Sequence, residues 1–206
     1  MVRAEVSVAT PEHAAGITSI YRSCFPRSFR SRAGQRFCKA YFARLSADPA
    51  YRVLVATDGG DVLGFACLHT DRLASLSFGW ERSLWPELAP FVLRHPRLIA
   101  RRVLNVLRRR LRRRVHLQSQ SGVRDEFRRS AYLDDIAVAE SARGRGVGSA
   151  LLEACADETN RLGLSMLMLT VDEENVGAIR LYQRMGFEKR GMNRKHRTRI
   201  YARCLG

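Results

Sequence analysis

Arg143-Gly144-Arg145-Gly146-Val147-Gly148 joins an apolar stretch, Ile136-Ala137-Val138, to a run of helical character, Ser149-Ala150-Leu151-Leu152. Glycines at alternate positions let a backbone turn sharply with no Cβ in a ligand's way. Several N–H groups then share one concavity at a helix N-terminus, where the dipole favours negative charge. The chemistry this suits is phosphate binding. Two common phosphate loops fail on spacing. A Walker A loop needs Gly-Lys-Ser/Thr after four intervening residues, and no lysine follows a glycine here. The fingerprint Gly-x-Gly-x-x-Gly, counted from Gly144, meets its third glycine one residue early at Gly148. Counted from Gly146, it needs glycine where Leu151 stands.

A second stretch, Asn175 to Phe187, follows the apolar run Leu164 to Val171 and places Ala178, Leu181, Tyr182 and Met185 at helical spacing. Asn175 is a natural N-cap and Gly186 a natural C-terminal stop.

Together these segments resemble a known family. Arg/Gln-x-x-Gly-x-Gly/Ala at 143–148 resembles the pyrophosphate loop of the GNAT superfamily of N-acetyltransferases. Asn-x-x-Ala-x-x-Leu-Tyr-x-x-x-Gly-Phe at 175–187 resembles its second coenzyme A motif, in the expected order. The resemblance covers roughly residues 4–70 and 130–204. It implies an acetyl-CoA-dependent enzyme that moves acetyl to a primary amine by direct attack in a ternary complex. The amine would belong to an amino sugar, a small molecule or a protein. It also implies coenzyme contacts at Ile136, Ala137, Val138, Arg143, Gly144, Arg145, Gly146, Val147, Gly148, Ser149, Asn175, Ala178 and Tyr182. Backbone N–H groups around Ile136 to Val138 would hold the developing oxyanion. Tyr182 matches the family tyrosine that can protonate the leaving thiolate; packing through its ring alone is the alternative. Asn175 would bond the pantetheine arm, cap its helix, or do both.

An amine protonated at neutral pH cannot attack, so a base must take its proton. Where some relatives carry a glutamate, this chain has Thr170. Asp134 and Asp135 alternate across a strand. Asp135 has the parity opposite to Ile136 and Val138, so with those two in the core it reaches the cleft, whereas Asp134 needs a partner or a bulge. The same two aspartates could instead cap or pair with arginines. His69 and Tyr132 are lesser candidates. Phe25-Pro26-Arg27-Ser28-Phe29, with Gly34, Phe37 and Tyr41-Phe42, resembles a subgroup associated with surface-polysaccharide or sugar-nucleotide synthesis. Phe25, Phe29 and Tyr41 would then line an acceptor wall or else fill core. A different class of function is a non-catalytic acyl-CoA-binding sensor or scaffold.

The elements that must position these groups follow from pattern. Arg3 to Ala9 reads as a strand, and Thr10-Pro11 opens a helix towards Phe25. Ser31 to Ala47 reads as a second helix. Tyr51 to Ala56 and Val62 to Leu68 form a hairpin about Asp58-Gly59-Gly60-Asp61. Then come a strand from Tyr132 to Ala139, a helix from about Gly148 to Arg161, a strand from Leu164 to Val171, a helix over 175–185, and a closing antiparallel pair between Phe187 and Cys204. This order predicts an α/β fold with a mixed sheet. The resemblance makes it GNAT-like and mostly antiparallel, a single domain over 1–206 with an insertion at about 71–129.

The 206 residues, 46% hydrophobic, suffice for one full core. No apolar run reaches bilayer length and Met1 to Glu5 has no signal-peptide core, so the expectation is a cytoplasmic protein. Five scattered cysteines (24, 38, 67, 155, 204) lack zinc spacing and read as small buried hydrophobes; no metal is implied.

Charge concentrates in the insertion. Of the 36 basic residues behind a net charge of +16, all but Lys39, Lys189 and Lys195 are arginine, and no Asp or Glu occurs from Leu88 to Arg124. Arg94, Arg97, Arg101, Arg102, Arg108, Arg109, Arg110, Arg112, Arg113 and Arg114 flank Ala100, Val103, Leu104, Leu107, Leu111 and Val115, which recur at helical spacing. Such a face suits an anionic membrane surface, with the protein peripheral at its inner side, or an acidic acceptor. Nucleic acid is disfavoured, since no aromatic–basic interleaving occurs. The competing reading is a solvated helix face docked on the sheet or on a second subunit of a homodimer.

Overall fold

A computed structural model describes residues 4–70, 84–94, 130–193 and 197–205. The chain runs β1 (Glu5–Val8), a 3-10 turn (Pro11–His13), α1 (Ala14–Cys24), α2 (Phe29–Ala33), α3 (Gln35–Ala47), β2 (Tyr51–Asp58), β3 (Asp61–His69), α4 (Trp85–Arg94), β4 (Ser130–Val138), a 3-10 turn (Glu140–Ala142), α5 (Val147–Arg161), β5 (Met166–Asp172), α6 (Val176–Arg184), β6 (Glu188–Asn193) and β7 (Thr198–Cys204). Seven strands form one sheet in the order β1-β2-β3-β4-β5-β7-β6, antiparallel throughout except for the parallel pair β4–β5. This is the mixed, mostly antiparallel α/β sheet expected.

The two faces of the sheet bury different clusters. On one, Leu151, Leu152, Cys155, Ile179 and Tyr182 from α5 and α6 pack on Leu54, Leu68, Leu133, Leu167 and Tyr201. On the other, Ile17, Tyr21, Cys38, Phe42 and Leu45 from α1 and α3 pack on Val53, Val55, Phe65 and Ala137. Each fully buried aliphatic side chain contributes about 1.5–3 kcal/mol.

Two expectations change. The helix anticipated over Ser31 to Ala47 is two helices, because Gly34 stands at φ 107° and ψ 170°, ending α2 and starting α3. A residue with a Cβ rarely adopts that backbone. Ser28 fixes the start of α2, its hydroxyl accepting from the Ser31 N–H at 3.1 Å. Cysteine burial is also uneven: Cys38, Cys67 and Cys155 are buried, Cys24 is half-buried and Cys204 is exposed, all as free thiols. Of the insertion, α4 docks through Phe91, which meets Phe29 edge-on at 5.6 Å. The arginine-rich run from Arg97 to Arg114 lies outside the described residues. Among the described residues no helix is long and apolar enough to cross a membrane, and no His/Cys/Asp/Glu cluster could hold a metal.

Candidate functional site

The parallel seam of the sheet is short. Ser130 to Leu133 pair with Met166 to Leu169; beyond that, β4 stays with β3 and β5 with β7, so the two strands part. Ala139 N–H donates to Leu63 O at 2.8 Å, across the β3 side. Since successive N–H groups of a strand point to opposite edges, those of Ile136 and Val138 turn to the parted side. The Cys24 thiol, at the end of α1, lies 3.7 Å from Val138 O.

Just beyond β4 the loop residues Gly144 and Gly146 adopt φ 73° and 83°, both left-handed. Gly146 is the N-cap of α5 and has no side chain to cap it. The first intrahelical bond runs from Ala150 N–H to Gly146 O, so the N–H groups of Val147, Gly148 and Ser149 have no helical acceptor. A Cβ built on Gly144 or Gly146 would meet nothing within 4 Å, so the space beside them is open. Arg145 bends back to Ser141 O at 3.4 Å, and Arg143 reaches the Cys24 sulfur at 3.6 Å. A Cβ on Gly148 would stand 3.2 Å from Leu181 and 3.7 Å from Val138, so the loop, the end of β4 and α6 converge at this glycine.

On α6, Asn175 Oδ1 accepts from Ala178 N–H at 3.1 Å, which caps the helix and leaves the exposed amide NH2 for another partner. Tyr182 is buried, its ring 5.8 Å from Phe187. Burial, reinforced by Cys155, pushes its hydroxyl up to about 12. Tyr182 therefore carries its proton throughout the physiological range.

The two aspartates are separated by a bulge. Cys67 faces Asp135 and Leu68 faces Leu133, which leaves Asp134 as the extra residue of β4. One inserted residue reverses the facing of the residues after it. Leu133 packs with the α5–α6 cluster, Ile136 and Val138 remain on that side, and Asp135 turns to the face of α1 and α3. There Arg30 Nη1 donates to Asp135 Oδ2 at 2.5 Å. The guanidinium carbon also sits over two rings, 5.2 Å from the Tyr21 centroid and 4.7 Å from that of Tyr41. Burial opposes the Arg30 charge, but Tyr41, Asp135 and Tyr21 outweigh it and its pKa is raised. Burial likewise raises both tyrosine hydroxyls, keeping the rings neutral.

Of the remaining candidates, two lie at the seam. Tyr132 and Thr170 share a hydrogen bond of 2.7 Å between hydroxyls at its parting end. His69 is buried, stacked on Tyr51 at 4.4 Å. Phe25 tilts against Tyr21 at 5.0 Å and Phe29 meets Phe37 at 6.1 Å, so the aromatic cluster packs largely within the helical wall.

Comparisons with known proteins fit this geometry. Residues 99–187 match the acetyltransferase (GNAT) family. Over that stretch the chain is similar to the GNAT acetyltransferases. Over 54 residues it is 43% identical to a mycothiol acetyltransferase of Renibacterium salmoninarum, spanning 26% of this chain and 16% of that protein. Over 66 residues it is 38% identical to the ribosomal protein bS18-alanine N-acetyltransferase of Escherichia coli K12, covering 32% and 45%. The matched stretches thus span less than half the length of either curated relative. A putative acetyltransferase of Salmonella typhimurium, solved with its cofactor acetyl-CoA, superposes with a TM-score of 0.61 at 19% identity over 98% of this chain and 94% of its own, a likeness of fold.

The loop before α5 leaves three helix N–H groups without helical acceptors, and the space beside Gly144 and Gly146 is open. One residue escaped the sequence reading. Arg30 is one arginine among many, and its burial depends on Tyr21 and Tyr41 closing on it from separate helices.

Proposed function

We propose that the chain transfers acetyl from acetyl-CoA to a primary amine. The observation that carries this is the convergence at Gly148 of an uncapped helix N-terminus, the parted edge of β4 and α6, which bears the buried Tyr182. When bound, acetyl-CoA supplies the activated acyl group. The Val147, Gly148 and Ser149 N–H groups would hold its phosphates, and the Asn175 amide and Ala178 would contact its arm. N–H groups of Ile136 and Val138 face the oxygen that becomes negative as the amine attacks. Tyr182 holds the proton that the departing sulfur requires. Asp135, turned to the α1–α3 wall by the bulge, receives the acceptor's ammonium and relays its proton.

Acceptor amines differ among the similar proteins, as the words mycothiol, streptothricin and ribosomal protein in their names attest. A polypeptide N-terminus, an amino sugar and a small amine are therefore the classes to try. Thiol release measured across such a panel tests the reading. Turnover with at least one amine is expected. Tight acetyl-CoA binding with no turnover on any amine would leave a non-catalytic coenzyme sensor instead.

A further inference from the structure

We propose that Arg30 is a positioning residue for the acceptor amine, clamped by Tyr21 and Tyr41 so that it holds Asp135 Oδ2 and leaves Oδ1 to receive the substrate ammonium. This rests on the acetyl-transfer reading and names how that site recognises its acceptor.

Arg30 is fixed from three helices. It rises from α2, whose start is capped by Ser28, and its own carbonyl accepts the Cys38 thiol of α3 at 2.9 Å. Tyr21 comes from α1 and Tyr41 from α3, so the ring faces on the guanidinium are contributed by separate elements. Tyr21 is itself held by Phe42 at 5.1 Å and Phe65 at 6.3 Å, which roots the clamp in the core beneath. A planar guanidinium can stack on rings and bond a carboxylate edge-on at once; an ammonium cannot.

The other half of the pair is just as specific. Only the extra residue Asp134 turns Asp135 from the face of Leu133 towards Arg30. Among the described residues, Asp135 takes one hydrogen bond from a side chain, to Oδ2, and its side chain keeps 16% of its exposure. A pair serving stability alone gains little at such a site, because desolvation offsets most of the attraction and apolar residues would do as well. A carboxylate fixed through one oxygen, beside the parted edge of β4, fits a cationic amine.

Steady-state thiol-release kinetics on Arg30→Gln, Arg30→Lys, Asp135→Asn and the double variant Arg30→Gln/Asp135→Asn test the proposal, with acetyl-CoA binding measured by calorimetry. The expected result is a rise of about 10- to 100-fold in the amine KM for each single variant, with acetyl-CoA affinity within about twofold of the parent. Arg30→Lys should not rescue. The double variant keeps a neutral hydrogen-bonded pair, so it should fold, and should lose no more than the worse single variant, as coupled residues do. An unchanged amine KM in Arg30→Gln, or in the folded double variant, overturns the proposal; so do losses that multiply in the double. If the parent binds acetyl-CoA yet acetylates no amine, the acetyl-transfer reading falls and takes this one with it. An active parent with indifferent variants removes this inference alone.

Discussion

Tyr182 has a buried ring on α6, the helix whose Leu181 meets the α5 N-terminus at Gly148. Removing its hydroxyl leaves the ring packing against Phe187 intact, so Tyr182→Phe should keep the fold and coenzyme affinity while kcat falls by about 100- to 10,000-fold, measured where chemistry limits the rate. Because burial raises the hydroxyl to about 12, the parent should show no descending limb in kcat between about pH 6 and 10. A limb present in the parent and absent from Tyr182→Phe would mean that the hydroxyl titrates within that range, against its raised value; an unchanged kcat in Tyr182→Phe would end the proton-donor role. Glu158 makes a different kind of demand. Arg161 and Arg52 both bond it, and they lower its pKa below 4.5 against the effect of its burial. A lowered folded value means the unfolded chain takes up the proton first, so this stabilisation is complete above about pH 4.5 and fades as pH falls through the folded value. Glu158→Gln should cost about 1–2 kcal/mol near neutrality, allowing for the exposure of Arg161, and urea unfolding would measure it. Residues whose role is local were legible in the sequence: Asn175 announces a cap by type and position. Arg30 was not, because its environment is assembled by chain segments distant from one another.

At the scale of elements, the α5 N-terminus is the part whose purpose can be separated from its geometry. Gly146→Val would both strain a left-handed position and crowd the concavity. Asparagine tolerates that backbone, so Gly146→Asn isolates the crowding. Acetyl-CoA affinity should drop at least about tenfold in Gly146→Asn with the melting temperature nearly unchanged; calorimetry returning the parent's affinity would remove the cradle. Elements bounded by glycine or by a capping side chain were readable in advance, namely the β2–β3 hairpin, the loop before α5, and α6 between Asn175 and Gly186. Other features depend on long-range pairing. A bulge was one of two options open for Asp134 and only the register against β3 decides it, whereas the insertion of β7 between β5 and β6 leaves no local mark. Gly34 was visible, yet helical periodicity continues on both sides of it and hid the break between α2 and α3.

For the whole molecule, a net charge of +16 predicts association with polyanions that weakens as salt rises. Each arginine near an anionic leaflet contributes about 1 kcal/mol. Changing Arg108, Arg109, Arg112 and Arg113 to glutamine should abolish co-sedimentation with anionic vesicles while leaving transfer to a soluble amine intact. A parent that ignores such vesicles at low salt would end that expectation. The sheet itself carries another consequence. Its two antiparallel ribbons, β1 to β4 and β5 with β7 and β6, are stitched by the pairs Ser130–Met166 to Leu133–Leu169, with α5 laid across both. Mechanically this is a pair of jaws on a short hinge. Whatever bonds to the Ile136 and Val138 amides while also touching α6 becomes a brace between the jaws, and amide exchange at those two residues should slow when coenzyme is added. On that view the ligand completes the architecture as well as the chemistry.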